Sequence, residues 1–327
     1  MSTTRRLASL GQSLWLDTIT RDMLENGTLA RYIAELDVTG LTSNPTIYDK
    51  AIGGSSLYDA DVAAASRAGR SAEETFFSLA LDDLRRAADL FRPIHERTQG
   101  GDGYVSLEVS PLLAFDTAGT EAQAAALHAR AERPNLLIKI PGTTEGLPAI
   151  ERSIFDGIPV NVTLLFSPAH ALACAEAYTR GIERRLEAGR SPAIGSVASL
   201  FISRWDGAVD PTVPPALRLK AGLAVGRAAY AEYLRFFASP RWQRIIDIFA
   251  TLVLLFVVTV QTYTLFDKVV TTKADHIVTM DLQIPIWPFY LVAWIGDVSA
   301  VLLIAIRTFR LIFHPEQMRE VRMKPVE

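Results

Sequence analysis

The stretch Asn135-Leu-Leu-Ile-Lys-Ile-Pro-Gly142 decides the fold class, because it has the pattern of a strand buried on both faces. Such near-continuous apolar runs are typical of parallel sheets. Lys139 interrupts the run, and an unpaired charge there would cost several kcal/mol, so we expect this lysine to be paired or functional. Desolvation disfavours the charged form of an amine, and a neutral amine can attack a ketone carbonyl and form an iminium.

Further β-type runs lie on both sides of this stretch. They cover residues 14–17, 40–44, 104–110, 160–166 and 196–203, and helical segments such as 120–131, 147–155 and 168–188 separate the later runs. Strands that alternate with helices indicate βαβ units and a parallel sheet. The sequence therefore predicts an α/β fold, an incomplete (β/α) barrel of the TIM type with six of eight strands. A glycine-rich dinucleotide motif and a P-loop are both absent from the sequence, which weakens a nucleotide-binding alternative.

Polar side chains occur within or at the ends of all six predicted strands. They are Asp17, Asn44, Glu108, Lys139, Asn161, Thr163, Ser199 and Arg204. Any one of them could be a satisfied polar group of the core, but eight such residues over six strands favour a common site, since catalytic groups collect at the carboxyl ends of barrel strands. The carboxylates could transfer protons, the amides and Thr163 could orient hydroxyl groups, and Arg204 could bind a phosphate.

Six motifs in this order resemble the signature strands of the transaldolase family. They are Leu14-Trp-Leu-Asp17, Gly40-Leu-Thr-Ser-Asn-Pro-Thr46, Val105-Ser-Leu-Glu-Val-Ser-Pro111, Leu137-Ile-Lys-Ile-Pro141, Val160-Asn-Val-Thr-Leu-Leu-Phe-Ser167 and Ser199-Leu-Phe-Ile-Ser-Arg204. The resemblance covers about residues 1–242. It implies transfer of a dihydroxyacetone unit between sugar phosphates in the pentose phosphate pathway, from sedoheptulose 7-phosphate to glyceraldehyde 3-phosphate, without metal or cofactor.

The same resemblance implies a role for each matching residue. Lys139 would form the Schiff base, Asp17 would be the general acid and base, and Glu108 would act through a bound water. Substrate or intermediate would contact Asn44, Asn161, Thr163, Ser199, Phe201 and Arg204. The two last βα units of the family have no counterpart after Trp242, so we expect the activity to be impaired. Transaldolase and fructose 6-phosphate aldolase activities both remain open.

Membrane-type sequence follows Trp242. Residues 245–266 and 284–306 are two apolar stretches near the 20 or so residues that span a bilayer. Basic residues flank the pair on both sides, namely Arg235, Arg241, Arg244, Arg307, Arg310, Arg319, Arg322 and Lys324. The charges of the 267–283 loop are balanced. The positive-inside rule then predicts a two-helix transmembrane hairpin in domain 243–327, with the N-terminal domain and the C-terminus in the cytoplasm of a bacterium. A buried helical hairpin of a soluble protein is the alternative.

This second domain resembles the last part of the small permease subunit of a TRAP transporter. The resemblance rests on Met280-Asp-Leu-Gln-Ile-Pro-Ile-Trp-Pro-Phe-Tyr290 and on a span that ends at Arg307-Thr-Phe-Arg310. It implies a membrane subunit with a large permease subunit as partner. Asp297, in the middle of a span, is expected to face a partner helix. A non-functional chimera of the two families is the third alternative.

Composition excludes some kinds of covalent link and metal site and weighs against a nucleic-acid partner. The chain has 327 residues, a net charge of −3 and one cysteine, Cys174. A single cysteine excludes an intrachain disulfide and a multi-cysteine metal site. The sequence has no excess of basic residues that would indicate a nucleic-acid partner.

Overall fold

The computed structural model describes residues 3–238, 240–279 and 284–314. The chain divides into two compact units, Met1–Tyr233 and Leu234–Glu327. The predicted boundary at residue 242 between two functional domains stays a prediction.

The strands and helices alternate through the first unit, and two long helices follow in the second. The strands are β1 Leu14–Leu16, β2 Val38–Thr42, β3 Val105–Glu108, β4 Leu136–Pro141, β5 Val160–Leu165 and β6 Ser196–Leu200. The α-helices are α1 Thr3–Ser9, α2 Arg21–Glu25, α3 Thr28–Leu36, α4 Pro45–Gly53, α5 Asp59–Arg67, α6 Ala72–Arg97, α7 Thr117–Ala131, α8 Gly146–Asp156, α9 Pro168–Glu187, α10 Ser203–Val209, α11 Ala221–Phe237, α12 Pro240–Ala274 and α13 Trp287–Phe313. Short 3₁₀ turns lie at Ser56–Tyr58, Pro111–Leu113, Asp210–Thr212 and Pro215–Leu217.

The six strands form one parallel sheet in the order β1-β2-β3-β4-β5-β6, which curls into a half-barrel. Within the described residues, β1 and β6 are the edges and each pairs with one strand only. The predicted partial TIM-type fold is therefore confirmed for its six strands. Parallel strands need crossover connections, and here helices supply each of them.

Two elements near the end of the first unit have limits set by local sequence. The strand predicted over 196–203 ends at Leu200, and Ser203 already begins α10. Helix α11 begins only at Ala221. Pro214 and Pro215 lack the N–H that a helix interior requires, and Leu219 has a φ of 57°, so a 3₁₀ turn and a break precede the helix.

Helix α6 shows why the sequence folds into these layers. Ser71 and Glu74 form a capping box, in which the Ser71 Oγ accepts from the Glu74 N–H and the Glu74 carboxylate accepts from the Ser71 N–H. Its buried apolar residues recur at helical spacing and join the core beneath the sheet: Phe77, Ala80, Leu81, Leu84, Ala87, Ala88, Phe91 and Ile94. All six residues of β4 are buried as well.

A buried ion pair ties α2 to α6. The Arg21 Nε lies 2.9 Å from Asp83 Oδ1, and the Asp83 carboxylate is fully buried. The Tyr58 hydroxyl donates to Asp83 Oδ2 over 2.7 Å and accepts from the Arg21 N–H. Burial raises the pKa of Asp83, against the hydrogen bonds from Tyr58 and Arg21. A second carboxylate, Asp61 on α5, binds the same guanidinium at 2.6 Å but is more than half exposed.

Trp15 on β1 packs directly onto the backbone of Gly40 on β2. A Cβ at residue 40 would lie 2.6 Å from the indole, and the indole is held in place by a hydrogen bond from Nε1 to Asp102 Oδ1 of 2.9 Å. Only a residue without a side chain fits beneath the ring. The edge strand therefore depends on a glycine in its neighbour.

Gly40→Ala is expected to destabilise the first unit by about 1–3 kcal/mol, because overpacking forces the indole out of place. Urea denaturation followed by tryptophan fluorescence measures the change. Gly53→Ala is the matched control, since nothing lies within 4 Å of a Cβ there and alanine favours the helix. Equal effects of the two substitutions would contradict the packing argument.

The second unit contains an antiparallel pair of helices, α12 and α13. Arg244 Nε donates to the Leu311 carbonyl over 3.2 Å at one end, and Lys273 lies over the Trp287 ring at the other. Gln261 Nε2 donates to Asp297 Oδ2 over 3.2 Å between them, so the mid-helix carboxylate contacts the neighbouring helix.

Both helices are long and apolar enough to cross a bilayer. The segments are Arg244–Ala274 and Trp287–Phe313, with a mean hydropathy of 2.2 each, and few of the residues in their apolar stretches are fully buried. Two such helices are weak evidence for a membrane hairpin. Residues 280–283, part of the permease-like motif, and Arg319, Arg322 and Lys324 lie outside the described residues.

Candidate active site

Three of the predicted residues lie side by side on neighbouring strands. Glu108 on β3 is in register with Lys139 on β4, and Lys139 is in register with Asn161 on β5. Residues in register on parallel strands point to the same face of the sheet. The strand pattern thus places a carboxylate, an amine and an amide in one row.

The Lys139 amine is buried and held by two oxygens. Its Nζ lies 3.1 Å from Glu108 Oε2 and donates to the Ser43 carbonyl over 3.2 Å. Lys139 is 4% exposed. The fold therefore places a desolvated amine next to a carboxylate that can exchange protons with it, as a nucleophilic lysine requires.

The Asn161 amide is fixed at both ends. Its Nδ2 donates to the Ser106 Oγ over 2.9 Å, and its Oδ1 accepts from the Ser199 Oγ over 2.8 Å. These contacts run across β3, β5 and β6, and Ser106 and Asn161 are almost fully buried. The amide is thereby held next to Lys139, in the row that also contains Glu108.

Thr163 lies in β5 opposite Pro141 and is fully buried. Its Oγ1 has no hydrogen-bond partner in the described part of the chain. The next residue, Leu164, has a φ of 60°, and the β5–β6 register shifts between Val162 and Leu165. Bulges and unpartnered buried hydroxyls occur at functional sites, where a ligand or water completes the hydrogen bonding.

The other predicted residues are less tightly placed. The Asn44 side chain caps α4 by accepting from the Ile47 N–H over 2.9 Å, which leaves its amide nitrogen for another partner. Asp17 follows β1 directly and is exposed. Within the described residues, no hydrogen bond joins its carboxylate to Lys139.

Phe201 and Arg204 lie beyond the end of β6. The Arg204 guanidinium is 5.7 Å from the centre of the Phe201 ring, and Phe201 packs on Phe166. Arg204 is exposed on α10. A cation at this place is free to meet an anionic group of a ligand.

Sequence reasoning missed Ser43 and Ser106. The Ser43 carbonyl contacts Lys139, and its Oγ donates to the Ser106 carbonyl over 2.7 Å. Both serines lie in the transaldolase-like motifs 40–46 and 105–111, as Asn161 lies in such a motif, so the same pattern could have pointed to them. A serine is common in strands, however, and only the contacts distinguish these two.

A family model described as transaldolase/fructose-6-phosphate aldolase matches residues 14–282. The transaldolase of Thiobacillus denitrificans is 46% identical over 248 residues, which cover 73% of this chain and 69% of that protein. The chain belongs to the transaldolase/fructose-6-phosphate aldolase family. The transaldolases of Neisseria gonorrhoeae and Thermobifida fusca are 45% and 46% identical, over 72% and 73% of this chain and 67% of each relative.

Membership in this family confirms the resemblance of the barrel sequence. The match continues past residue 242, through the whole of α12, to residue 282. The resemblance of the tail to a transporter subunit stays a prediction. So do the roles of the individual site residues.

Burial raises the pKa of Glu108, although the charge and the hydrogen bond of Lys139 act in the opposite direction. A carboxyl whose pKa is higher in the folded protein than in the unfolded chain adds most to stability below its unfolded value. That contribution is lost as the pH rises through the folded value. A raised pKa also brings the Glu108 carboxyl closer to the pH range in which a general acid or base is most effective.

Glu108→Gln tests this shift. The free energy of unfolding of the wild type should fall relative to that of the variant as the pH rises from about 4, near the ordinary pKa of a glutamate. Urea denaturation of both proteins at a series of pH values measures the difference. If the difference is constant, or grows in favour of the wild type, then folding does not raise the pKa of Glu108.

Proposed function

We propose that the first unit transfers a dihydroxyacetone unit between sugar phosphates through an iminium on Lys139. The observation that carries the proposal is the buried Lys139 amine between Glu108 and the Ser43 carbonyl, on a face shared with Asn161. Family membership supports the class of chemistry.

The first steps form a carbon–nitrogen bond. The Lys139 amine attacks the ketone carbon of a ketose phosphate, and the carbonyl oxygen takes a proton and becomes a hydroxyl. Loss of that hydroxyl as water gives the iminium. Glu108, directly or through a water bound to the unpartnered Thr163 hydroxyl, supplies and removes these protons.

The next step breaks a carbon–carbon bond. A base removes the proton from the hydroxyl two carbons from the iminium carbon, and that oxygen becomes the carbonyl of the leaving aldehyde. The electron pair of the broken carbon–carbon bond forms the carbon–carbon double bond of an enamine, and the π pair of the iminium moves to the nitrogen. Asp17 is the proposed base, from the resemblance of its motif. The enamine then attacks the carbonyl carbon of an acceptor aldose phosphate, and hydrolysis releases the new ketose and the free amine.

The sugar hydroxyls and the phosphate need separate partners. Asn44, Asn161 and Ser199 are proposed to bind hydroxyls, Phe201 to line the pocket, and Arg204 to bind the phosphate. The exposure of Arg204 supports this assignment, because an exposed guanidinium can bind a phosphate bidentately without a prior partner to lose.

Borohydride trapping tests the proposal. The full chain in detergent is incubated with fructose 6-phosphate and sodium borohydride, and the digest is examined by mass spectrometry. A stoichiometric adduct on Lys139 is expected. No adduct, under conditions in which a bacterial transaldolase is fully labelled, would overturn the proposed chemistry.

Product analysis separates the two activities of the family. With erythrose 4-phosphate as acceptor, a transaldolase forms sedoheptulose 7-phosphate, whereas an aldolase releases free dihydroxyacetone. We propose the transaldolase reaction, which the names of the relatives support. Dihydroxyacetone as the main product would favour the aldolase.

The rate is proposed to be lower than that of a relative with a closed barrel. The open edges at β1 and β6 support this, because the residues at these edges lack neighbours on one side and catalysis depends on their position to within about 1 Å. Comparison of kcat with a bacterial transaldolase in the same detergent measures the effect. Equal values would contradict it.

The apolar pair α12 and α13 supports a membrane anchor as part of the proposal, with residues before and after the pair in the cytoplasm. Membrane fractions washed with sodium carbonate should retain the chain. Its recovery in the wash would sink the anchor. The permease partner rests on the sequence resemblance alone.

A further inference from the structure

We propose that Ser106 is a positioning residue, which holds the Asn161 amide so that one of its N–H groups is presented to the sugar beside Lys139. The inference rests on the proposed function for its chemistry. It starts from the hydrogen bond from Asn161 Nδ2 to the Ser106 Oγ of 2.9 Å, between two residues that are almost completely buried.

An amide side chain has two N–H donors and one carbonyl oxygen, and its two ends are nearly equal in shape. The neighbours decide which end points where. Ser199 donates to Oδ1 over 2.8 Å from one side, and Ser106 accepts from Nδ2 on the other. In this arrangement Nδ2 lies on the Ser106 side and Oδ1 on the Ser199 side.

One of the two Nδ2 hydrogens has no acceptor in the part of the chain that the structure describes. Asn161 is in register with Lys139, so this donor shares the face on which the amine lies. An oxygen of a bound ketose next to the reacting carbon is the group that such a donor fits. Ser106 thereby holds the amide with one N–H bound and the other left for an oxygen of the ligand.

The two serines differ in what can replace them. Ser106 is fully buried, whereas Ser199 is partly exposed on the edge strand β6. Water can take over the hydrogen bond of Ser199 but has no access to that of Ser106. The orientation of Asn161 should therefore depend more on Ser106.

Nuclear magnetic resonance can follow this orientation without any catalysis. The chain contains four asparagines, Asn26, Asn44, Asn135 and Asn161, so labelling with ¹⁵N-asparagine gives four pairs of side-chain amide signals. Asn161→Asp assigns the pair of interest. Asn135 is an internal reference, because its buried Nδ2 donates to the carbonyls of Ala88 and Gly103.

In Ser106→Ala the Asn161 amide hydrogens should exchange with water about 10-fold faster or more, because their buried acceptor is lost. Their chemical shifts should also move. Ser199→Ala should give a smaller change, and the Asn135 signals should stay in place. Ser153→Ala, which removes a buried hydroxyl on α8, controls for the loss of a core serine.

Unchanged Asn161 exchange and shifts in folded Ser106→Ala would overturn the proposal. If Asn135 loses its protection too, the variant is unfolded, and Ser106→Cys takes its place because a thiol is a weaker acceptor of similar size. Faster Asn161 exchange in Ser106→Cys supports the role, and wild-type exchange overturns it.

Trapping then connects orientation to chemistry. The rate of adduct formation in Ser106→Ala should fall about 10-fold, which corresponds to about 1.4 kcal/mol. An unchanged rate would overturn the positioning role. A wild type that forms no adduct would overturn the proposed function, while the exchange experiment still decides whether Ser106 orients Asn161.

Discussion

Replacing Lys139 by methionine is expected to abolish the borohydride adduct and to lower the transfer rate by at least about 10⁴-fold, since Lys139 is the amine proposed to form the iminium. Methionine has a similar length but no amine. The loss should appear in kcat, because the substituted group acts on the reacting carbon. Mass spectrometry after trapping and a coupled assay of aldose phosphate formation measure the two effects.

Two controls separate lost chemistry from lost structure. Lys139→Met leaves the buried Glu108 without its partner, and removal of one member of a buried pair destabilises a protein by about 3–5 kcal/mol. The double variant Lys139→Met with Glu108→Gln removes that carboxylate and should recover stability while it stays inactive. Lys50→Met, on the exposed side of α4, should keep the adduct. An adduct that persists in Lys139→Met would show that another lysine is the nucleophile.

Asp83→Ala is expected to destabilise the first unit by about 3–5 kcal/mol, because of the two carboxylates paired with the buried Arg21 guanidinium it removes the buried one and leaves the exposed Asp61. It also removes the acceptor of the Tyr58 hydroxyl. For a unit of this size, each kcal/mol lowers Tm by about 2–4 °C, so a fall of roughly 10 °C is expected. Urea denaturation and thermal melting of the full chain in detergent measure the change.

Asp61→Ala is the matched control, since it removes the other carboxylate on the same guanidinium. The Asp61 side chain is 54% exposed, and pairs of this kind contribute about 0–1 kcal/mol. The double variant Arg21→Met with Asp83→Leu should recover part of the loss. Equal destabilisation by Asp83→Ala and Asp61→Ala would show that burial does not set the strength of the pair.

Several parts of the site could be predicted from the sequence. The apolar run around Lys139 indicated a buried strand, and Glu108 and Asn161 lay within the predicted strands before and after it. Parallel register then brings these three into one row. The pattern works because a polar residue in a fully buried strand is costly and rarely occurs without a partner or a function.

Other parts could not be predicted in this way. Asp17 and Arg204 belong to the first and the last of the six motifs, but in the described residues neither makes a hydrogen bond or an ion pair with Lys139. Ser43 contributes through its backbone carbonyl, which no side-chain pattern reveals. The left-handed backbone of Leu164 is equally invisible, since leucine rarely adopts that conformation.

The sequence by itself determined the order of strands and helices and the family, and it is the source of the prediction that Lys139 is the reactive amine. These follow from local patterns, because the burial of each strand and the spacing of each motif are written along the chain. Only the tertiary structure decided which oxygens hold the Lys139 amine and which serines hold Asn161. Those contacts join residues from 31 to 96 positions apart, and their geometry depends on the register and curl of the sheet.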